Sequence, residues 1–299
     1  MNALSKAARI GIVGVGAMGM AMARNLRAKG WRVSTRDVRV EADDEARAAG
    51  MSVCASPRAL AAQSDIAIVV VVNAGQIDEV LFGADGVVNA NDSATAGAKT
   101  VMLCSTIAPQ DSMRIAARLA THGIATIDAP ISGGPARALA GTMSTMLAAP
   151  AATLARWQAL LADLAEKRFV VSETIGDAAK AKLVNNLLAG INLVAGAEAL
   201  ALAQKIGLDP TAMFEIIRVS SGASWVFEDR MARALSEDYL PPRAAAHILT
   251  KDMGLATALA ASVGHATPLG DAALVRFRET VDRGWAELDD AAVIKTYQV

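Results

Sequence analysis

The first part of the chain, through about residue 170, alternates short aliphatic runs with alanine-rich amphipathic stretches. The aliphatic runs are RIGIVG, WRVSTRD, IAIVVVV, KTVMLCST and ATIDAP, and stretches such as MAMARNLRAKG and SMRIAARLATHG separate them. Short continuous aliphatic runs are typical of parallel strands buried on both faces, whereas apolar positions that recur every three or four residues are typical of helices. The alternation predicts β-α-β units and an α/β fold with a doubly wound parallel sheet.

The pattern changes after Gly176 and becomes helical almost throughout. The helical segments are KAKLVNNLLAGINLVAGAEALALAQKIG, TAMFEIIRVSSG, AAAHILTKDMGLATALAASVG and LGDAALVRFRETVDRGW. We therefore predict an α/β domain over residues 1–174 and an all-α domain over residues 175–299, entered by a long interdomain helix. KAKLVNN then lies at the domain junction, where ligand clefts commonly occur.

A glycine-rich turn joins the first predicted strand to the first predicted helix. In GIVGVGAMG, Gly14, Gly16 and Gly19 form G-x-G-x-x-G, with Ala17 and Met18 between the last two glycines. The first glycine permits the tight turn, the second lets the backbone approach a pyrophosphate, and the third allows close packing of helix and strand. The N–H groups and positive dipole end of the helix then face the phosphates. We predict a Rossmann-type nucleotide site formed by these five residues.

The end of the second predicted strand bears on which nucleotide binds. WRVSTRD ends at Asp37, about 20 residues after the glycine turn, where a carboxylate accepts hydrogen bonds from a ribose diol. This position favours NAD. Arg36 and Arg39 flank the aspartate, and they either contact the 2′-phosphate of NADP or remain solvated loop charges. NAD is thus the expected cofactor, with NADP possible.

Composition and charge narrow the classes of partner. The chain has 299 residues, 53% of them hydrophobic, enough to form the cores of two domains. Its formal net charge is -1 and its pI is near 6.3, whereas binding to nucleic acid or an anionic membrane would require a clustered basic excess. We expect a small-molecule ligand, with no nucleic acid and no membrane as partner.

Cysteine usage and the N-terminal segment indicate the compartment. Cys54 and Cys104 lie in unrelated segments without metal-ligand spacing, so neither a disulfide framework nor a metal site is expected. MNALSKAARIGIVG lacks an apolar stretch followed by a small-residue cleavage site. The block from Ile66 to Val72 is far shorter than the roughly 20 residues of a membrane-spanning helix. A cytoplasmic protein is expected.

The segment KAKLVNN carries a candidate acid and base. Lys182 and Asn186 are four residues apart, so a helix places them on one face, and Gly190 lies one turn further and leaves room for a neighbouring chain. Asn186 can hold an ammonium group or a bound hydroxyl group in place. Lysine can remove a hydroxyl proton when burial and a nearby positive charge lower its pKa. The alternative is a lysine at the mouth of the helix that reaches to water.

Two further segments follow predicted strands at the edge where ligands bind in open α/β sheets. In DAPISGG, the hydroxyl group of Ser132 and the backbone N–H groups of Gly133 and Gly134 can converge on one anionic oxygen. In KTVMLCST, Thr106 ends the strand and either faces the ligand edge or caps the next helix.

Four motifs, in this order, resemble those of the β-hydroxyacid dehydrogenase family, which contains 3-hydroxyisobutyrate dehydrogenase and tartronate semialdehyde reductase. GIVGVGAMGMAMARNL resembles the family's cofactor motif, DAPISGGPARALAGTMSTM its substrate-binding motif, KLVNN its catalytic motif and KDMGLA its late nicotinamide-side motif. The resemblance implies a C-terminal domain like that of 6-phosphogluconate dehydrogenase and a homodimer or homotetramer.

The same resemblance implies roles for individual residues. It makes Lys182 the catalytic acid and base, rather than Lys180, which is expected to be solvated near the helix start. It puts Thr106 near the nicotinamide, and Lys251 and Asp252 near the nicotinamide ring and the substrate, with Lys251 contacting both. A surface pair of helical residues is the alternative for Lys251 and Asp252.

Other segments are similar to the branch of the family that oxidises L-threonate. They are VVVVNAGQIDEVLFGADGVV, SSGASWVFEDRM and DDAAVIKTY. The resemblance therefore implies NAD-dependent oxidation of the 2-hydroxyl group of L-threonate, or of a similar four-carbon sugar acid, to the 2-oxo acid. Oxidation of 3-hydroxyisobutyrate or reduction of tartronate semialdehyde is the alternative within the family.

Two other classes of protein remain open. A non-catalytic module that senses NAD(P) would have no need of a lysine aligned with an asparagine, and an imine reductase of the same architecture would have a different residue at position 182. One departure from the family is the short turn TIGDAAKAK before Lys182, with Ala178 where a second glycine is usual. The entry of the interdomain helix is expected to differ accordingly.

Overall fold

A computed structural model of the chain describes residues 6–92 and 97–297, with the backbone alone at positions 91 and 92. It confirms the predicted fold class, because a parallel-rich α/β sheet precedes a mostly helical region and a long helix leads into that region. The residues divide into two compact units, the first ending at Lys182 and the second beginning at Leu183. The predicted domain boundary between residues 174 and 175 stays a prediction.

The strands of the described residues form one sheet in the first unit. Their bounds are β1 (Arg9–Val13), β2 (Arg32–Arg36), β3 (Ser52–Val53), β4 (Ile66–Val69), β5 (Thr100–Leu103), β6 (Ala125–Asp128), β7 (Ile131–Ser132), β8 (Ser144–Ala148) and β9 (Lys167–Ser172). The order is β3-β2-β1-β4-β5-β6-β8-β7, with β9 beside β8. The order 3-2-1-4-5-6 of the first six strands is that of a dinucleotide-binding fold.

The sheet departs from the predicted parallel arrangement at one end. The first six strands pair in parallel, whereas β8 pairs antiparallel with β6 and β7 and parallel with β9. Strand β8 follows β7, which ends at Ser132, and runs beside it in the opposite direction. An α/β sheet that is parallel in its interior commonly carries such an antiparallel edge.

Helices cover both faces of the sheet in the first unit. Their bounds are α1 (Ala17–Ala28), α2 (Val40–Ala48), α3 (Pro57–Ala62), α4 (Ala74–Phe82), α5 (Pro109–Thr121), α6 (Gly134–Ala140), α7 (Ala151–Arg156) and α8 (Gln158–Leu164), with a 3-10 segment over Val87–Asp92. Strand residues alternate between two cores: in β4, Ile66 and Ile68 belong to one cluster and Ala67 and Val69 to the other. This period of two explains why β4, buried on both faces, is apolar at every position.

The second unit is built from helices. The chain passes through α9 (Asp177–Lys205), α10 (Pro210–Ile217), α11 (Trp225–Leu235), α12 (Ala246–Ser262) and α13 (Pro268–Thr280), followed by a π-helical turn over Val281–Trp285 and a 3-10 segment over Asp290–Thr296. Its core gathers residues from these elements, including Leu193, Phe227, Met253 and Phe277. Phe227 stacks on Phe214 at 5.5 Å between ring centroids.

Helix α9 begins in the first unit and continues into the second. Among the described residues it is the one helix long and apolar enough to cross a membrane, and 44% of its most apolar window is buried inside the protein. Core helices of soluble proteins also meet this criterion of length and composition. Leu193, Ala197 and Leu200 of α9 belong to the core of the second unit, so the helix has a packing role that explains its apolar composition.

Candidate active site

The glycine turn has the geometry of a nucleotide-binding turn. Gly14 has φ of +89°, and its N–H group donates to the carbonyl oxygen of Arg36 at 2.9 Å. A Cβ atom at Gly14 would lie 2.4 Å from the carbonyl oxygen of Val70, and one at Gly19 would lie 1.9 Å from the carbonyl oxygen of Gly14. Glycine is therefore required at both positions by the packing of the turn itself.

Gly16 differs from the other two glycines because no backbone atom is packed against its free side. It is the N-cap of α1, and the nearest atom to a Cβ there would be a guanidinium nitrogen of Arg39 at 3.5 Å. The hydrogen-bond ladder of α1 starts with Met20 N–H, which donates to the carbonyl oxygen of Gly16 at 2.9 Å. The N–H groups of Ala17 and Met18 therefore lie in the first turn, where anions bind.

A cleft of about 380 Å³ lies beside this helix start. Gly16, Arg39, Glu41, Pro135 and Leu139 are among its lining residues. The cleft thus brings together the glycine turn, the segment after β2 and helix α6, all in the first unit. It has the start of α1 on one side and apolar surface on another, as a nucleotide site requires.

Asp37 is buried and already fully engaged. Its two oxygens accept from the backbone N–H groups of Val15 at 2.8 Å and Arg39 at 3.0 Å, and from the Arg39 guanidinium at 3.0 and 3.3 Å. Burial alone would raise the pKa of Asp37, but the bonds from Arg39 and Val15 outweigh it and hold the pKa below its ordinary value. A ribose diol would have to displace the Arg39 side chain, because a carboxylate offers about four acceptor positions.

Asp43 is a residue of this region that the sequence analysis did not identify. Its carboxylate accepts from the backbone N–H of Asp37 at 2.9 Å and from the guanidinium of Arg36 at 2.7 Å. Arg36 and Arg39 therefore have different partners, and neither is simply a solvated loop charge. The available signal was an acidic residue in the first turn of α2, where it also suits the helix dipole.

The segment after β6 forms a tight loop. Gly133 and Gly134 have φ of +127° and +74°, conformations that favour glycine, and Ser132 lies half-buried at the end of β7. The Ser144 hydroxyl group donates to the Ser132 carbonyl oxygen at 3.4 Å, which fixes the backbone and uses the carbonyl oxygen rather than the Ser132 hydroxyl group. A Cβ at Gly134 would meet no atom within 4 Å, so the loop has an open side.

The ends of β4 and β5 are joined by a serine. Ser105 accepts a hydrogen bond from Val71 N–H at 3.1 Å and is buried. Thr106 follows it, half-buried, between the end of β5 and the start of α5. Ser105 therefore has a structural role, and Thr106 is the residue of this pair that stays a candidate for ligand contact.

The two lysines of KAKLVNN have different surroundings. Lys180 is exposed and forms an ion pair with Asp177 at 2.7 Å, in the i,i+3 arrangement of a solvated helix end. Lys182 is 7% exposed and Asn186 is 6% exposed. A buried lysine is uncommon in proteins, so Lys182 is the one of the two that requires a chemical explanation.

Asn186 is held by a buried carboxylate. Its Nδ2 atom donates to Oδ2 of Asp252 at 2.7 Å, and Oδ1 of Asp252 receives Lys251 Nζ at 2.7 Å. Asn185 Nδ2 donates to Oδ1 of Asn186 at 3.0 Å. Asn186, Lys251 and Asp252 are thus brought together in the second unit, and burial of Asp252 excludes the simple surface pair as an explanation.

Gly190 allows this approach of α12 to α9. A Cβ at Gly190 would lie 2.3 Å from the sulfur atom of Met253. Met253 follows Asp252 directly, so the absence of a side chain at Gly190 permits the hydrogen bond between Asp252 and Asn186 one turn earlier. The predicted space beside Gly190 is filled by α12.

Known proteins resemble this chain over nearly its whole length. Residues 9–176 match the family model for the NAD-binding domain of 6-phosphogluconate dehydrogenase, and residues 176–297 match the model for the NAD-binding region of NADP-dependent 3-hydroxyisobutyrate dehydrogenase. L-threonate dehydrogenase of Cupriavidus necator is 38% identical over 288 residues, 96% of this chain and 95% of that protein. The chain belongs to the β-hydroxyacid dehydrogenase family. It is therefore a member of a family of NAD(P)-dependent dehydrogenases.

Other members of the β-hydroxyacid dehydrogenase family are similar at nearly the same level. 2-(Hydroxymethyl)glutarate dehydrogenase of Eubacterium barkeri is 35% identical over 297 residues, 99% of this chain and 96% of that protein. The crystal structure of a 3-hydroxyisobutyrate dehydrogenase from Salmonella typhimurium superposes with a TM-score of 0.88 at 35% identity, covering 96% of this chain and 99% of that one. Identity alone does not separate the substrates of these proteins.

The residues of the first unit fit an NAD(P) cofactor. The open side of Gly16 leaves space for a pyrophosphate, the first turn of α1 presents N–H groups to it, and Asp37 ends β2 beside the cleft. No cluster of three or more His, Cys, Asp or Glu side chains suited to a metal ion occurs in residues 6–92 and 97–297.

Proposed function

We propose that this protein oxidises the 2-hydroxyl group of L-threonate to the 2-oxo acid with NAD as the hydride acceptor. The observation that carries the proposal is the buried Lys182, one helical turn before an asparagine whose amide is held by Asp252. The 38% identity to an L-threonate dehydrogenase supports the choice of substrate. Cofactor preference, substrate and residue roles are all parts of this proposal.

Lys182 is the proposed acid and base. When bound, the nicotinamide cofactor accepts a hydride from the carbon that bears the hydroxyl group. The proton of that hydroxyl group passes to the amine of Lys182, so a C=O bond replaces the C–H and O–H bonds. In the reverse direction the ammonium group of Lys182 donates the proton to the developing alkoxide.

Asn186 orients the reacting hydroxyl group and the lysine. An ionised carboxylate only accepts hydrogen bonds, so the contact with Asp252 fixes the NH2 group of Asn186 towards Asp252 and leaves Oδ1 as its acceptor. That oxygen has two lone pairs and receives one donor from Asn185. The remaining lone pair can accept from Lys182 or from the substrate hydroxyl group.

The substrate carboxylate needs fixed donors, and the loop after β7 supplies a set of them. The hydroxyl group of Ser132 and the backbone N–H groups of Gly133 and Gly134 are proposed to bind it, because consecutive N–H groups in a glycine turn converge on an anion. Lys251 is proposed to contact both substrate and cofactor through its ammonium group. Each oxygen of Asp252 accepts a hydrogen bond from one of these side chains, so we assign Asp252 to positioning Asn186 and Lys251 rather than to direct substrate binding.

The geometry of the first unit supports the following proposed cofactor contacts. Gly14, Gly16 and Gly19, with Ala17 and Met18, are proposed to bind the pyrophosphate. Asp37 is proposed to accept the ribose hydroxyl groups after the exposed Arg39 side chain moves aside, and Thr106 to lie beside the nicotinamide. The buried carboxylate disfavours a 2′-phosphate, which supports NAD over NADP.

A panel of acids tests the proposed substrate. We would compare kcat/KM for L-threonate, 3-hydroxyisobutyrate and 2-(hydroxymethyl)glutarate with NAD and with NADP, and for tartronate semialdehyde with NADH and NADPH. The highest value is expected for L-threonate with NAD. A higher value for another acid would overturn the choice of substrate, and NADH binding without turnover of any acid would favour a sensing module.

Partners and organisation complete the proposal. We propose that residues 1–174 bind the cofactor and that residues 175–299 complete the substrate site and form a homodimer or homotetramer in the cytoplasm, without nucleic acid or membrane. Exposed apolar side chains on α9 support self-association, with Val184 66%, Leu188 60% and Leu202 59% exposed. Light scattering that shows a monomer at assay concentration would contradict the oligomer.

A further inference from the structure

Asp128 is a buried carboxylate to which the proposed chemistry assigns no step. It is the last residue of β6 and is 1% exposed. Its Oδ2 atom accepts the backbone N–H groups of Gly176 at 2.9 Å and Ala179 at 3.2 Å. Both donors belong to the start of α9, 48 and 51 residues further along the chain.

The start of α9 cannot provide its own cap. The helix begins at Asp177, and Gly176 before it has no side chain and has φ of +100°. A Cβ there would lie 3.1 Å from Met113 Cγ and 3.2 Å from the carbonyl oxygen of Pro109. A helix start usually receives an oxygen from the side chain that precedes it, bonded to the third helical N–H group. Asp128 supplies this oxygen to the third helical residue, Ala179, from a different strand.

Asp128 is close along the chain to the proposed carboxylate loop, and its hydrogen bonds reach the helical turn before the proposed acid and base, all within the first unit. Ala179 precedes Lys182 by three residues, or about one helical turn, so fixing its N–H group fixes the rotation and height of that turn. Asp128 precedes Ser132 by four residues and opens the segment that forms the proposed carboxylate loop. One side chain thus ties the strand that leads to Ser132 to the helix that presents Lys182.

Keeping an acidic residue here is unfavourable in electrostatic terms. Burial raises the pKa of Asp128 to about 6, the two backbone donors offset only part of the rise, and the neighbouring charge of Asp177 adds to it. A position that needed only to fill space would be better served by an apolar residue. The hydrogen bonds that the carboxylate accepts from the start of α9 offset this cost.

We propose that Asp128 is a positioning residue that sets the register of α9 and thereby the placement of Lys182 for proton transfer, an inference that rests on the proposed dehydrogenase function. It touches neither substrate nor cofactor. Ala178, which stands where a second glycine is usual in the family, is fully buried and lies between the two residues whose N–H groups Asp128 accepts.

The test compares Asp128→Ala, Asp128→Ser and Asp128→Asn with wild type. Alanine removes the acceptor, serine keeps a polar atom but falls short of the helix, and asparagine keeps an oxygen that can accept both N–H groups. Asp177→Ala is the matched control, since Asp177 is an acid of the same helix start whose side chain bonds Ser172 and Lys180 in half-buried and exposed contacts.

Three quantities are measured for each protein well below its Tm. They are the rate constant for NADH formation in a single turnover with the hydroxy acid that wild type oxidises fastest, the KM for that acid, and the Kd for NADH. We expect the single-turnover rate to fall about tenfold to a hundredfold in Asp128→Ala and Asp128→Ser, with KM and Kd changed less than about threefold. Asp128→Asn and Asp177→Ala should stay within about threefold of wild type.

The outcomes separate this inference from the proposed function. If wild type oxidises no hydroxy acid, the proposed function fails before the variants are compared. If wild type turns over and folded Asp128→Ala or Asp128→Ser retains the wild-type single-turnover rate, Asp128 has only a structural role and the inference is overturned. Loss of rate in Asp128→Ser with recovery in Asp128→Asn supports it even if Asp128→Ala does not fold.

Discussion

Replacing Gly16 with alanine should weaken cofactor binding without destabilising the free protein. Gly16 has φ of -67° and ψ of -166°, extended backbone that alanine adopts without strain. The added methyl group would lie no closer than 3.5 Å to Arg39. Alanine is a poorer N-cap than glycine by up to about 1 kcal/mol, and the stiffer unfolded chain offsets about 0.4–1 kcal/mol of this. The net change in unfolding free energy should be within about 1 kcal/mol.

The loss in binding should be larger than this change in stability. The methyl group would occupy the open side of the turn, where the proposed pyrophosphate accepts the N–H groups of Ala17 and Met18. Loss of one hydrogen bond to a charged group costs about 1.5–3 kcal/mol, which corresponds to roughly a tenfold to hundredfold rise in Kd. We therefore predict that Gly16→Ala weakens cofactor binding and leaves the unfolding free energy nearly unchanged.

The assay is a fluorescence titration with NADH alongside a thermal melt of the free protein. Gly222→Ala is the matched control, because a Cβ at Gly222 would meet only Ile217, at 3.4 Å, in the second unit. Gly19→Ala is the contrasting variant, since its Cβ would lie 1.9 Å from the carbonyl oxygen of Gly14, and it should lower both Tm and affinity. A Kd for Gly16→Ala within twofold of wild type would refute the placement of the cofactor at this turn.

Three further predictions concern cofactor preference, the role of Asp252 and the pH dependence of stability. Asp37→Ser should raise the Kd for NAD and should raise kcat/KM with NADP relative to kcat/KM with NAD, because Arg39 loses its carboxylate partner. Arg39→Ala should change the same ratio in favour of NAD. An unchanged ratio in both variants would contradict the roles assigned to Asp37 and Arg39. Asp252→Ala should lower kcat at least about tenfold with Kd for NADH nearly constant, since a buried Asn186 amide loses its acceptor; wild-type kcat would exclude the positioning role. For Asp128, a pKa of about 6 against 3.8 unfolded favours the protonated native state, so wild type loses about 3 kcal/mol of stability as pH rises from below 4 to above 6. Urea unfolding should show this loss in wild type and not in Asp128→Asn, and a pH-independent difference between the two proteins would contradict the raised pKa.

The fold was predictable where the signal is local and periodic. Runs such as IAIVVVV and the amphipathic stretches between them specify buried strands and covering helices from their apolar spacing alone. The end of the sheet was not predictable in the same way. Strand β7 has two residues, Ile131 and Ser132, and β9 is almost entirely exposed, so neither has a buried run to detect. The antiparallel pairing of β8 depends on how the chain reverses its direction between β7 and β8.

The candidate site was predictable where one segment carries a whole motif. Gly14 and Gly19 follow from the turn, and Lys182 and Asn186 from helical spacing. Contacts between distant segments were not accessible, because they arise from tertiary packing. The hydrogen bonds from the N–H groups at the start of α9 to Asp128 and from Asn186 to Asp252 are of this kind.

The proposed mechanism is tested most directly by measuring whether Lys182 is needed for turnover. NADH formation from L-threonate would be measured for wild type, Lys182→Ala and the control Lys180→Ala, because Lys180 lies two residues earlier on α9 and forms an exposed ion pair with Asp177. We predict loss of at least about a hundredfold in kcat for Lys182→Ala, with NADH still bound, and near wild-type kcat for Lys180→Ala. Turnover by Lys182→Ala at the wild-type rate would contradict the proposed mechanism.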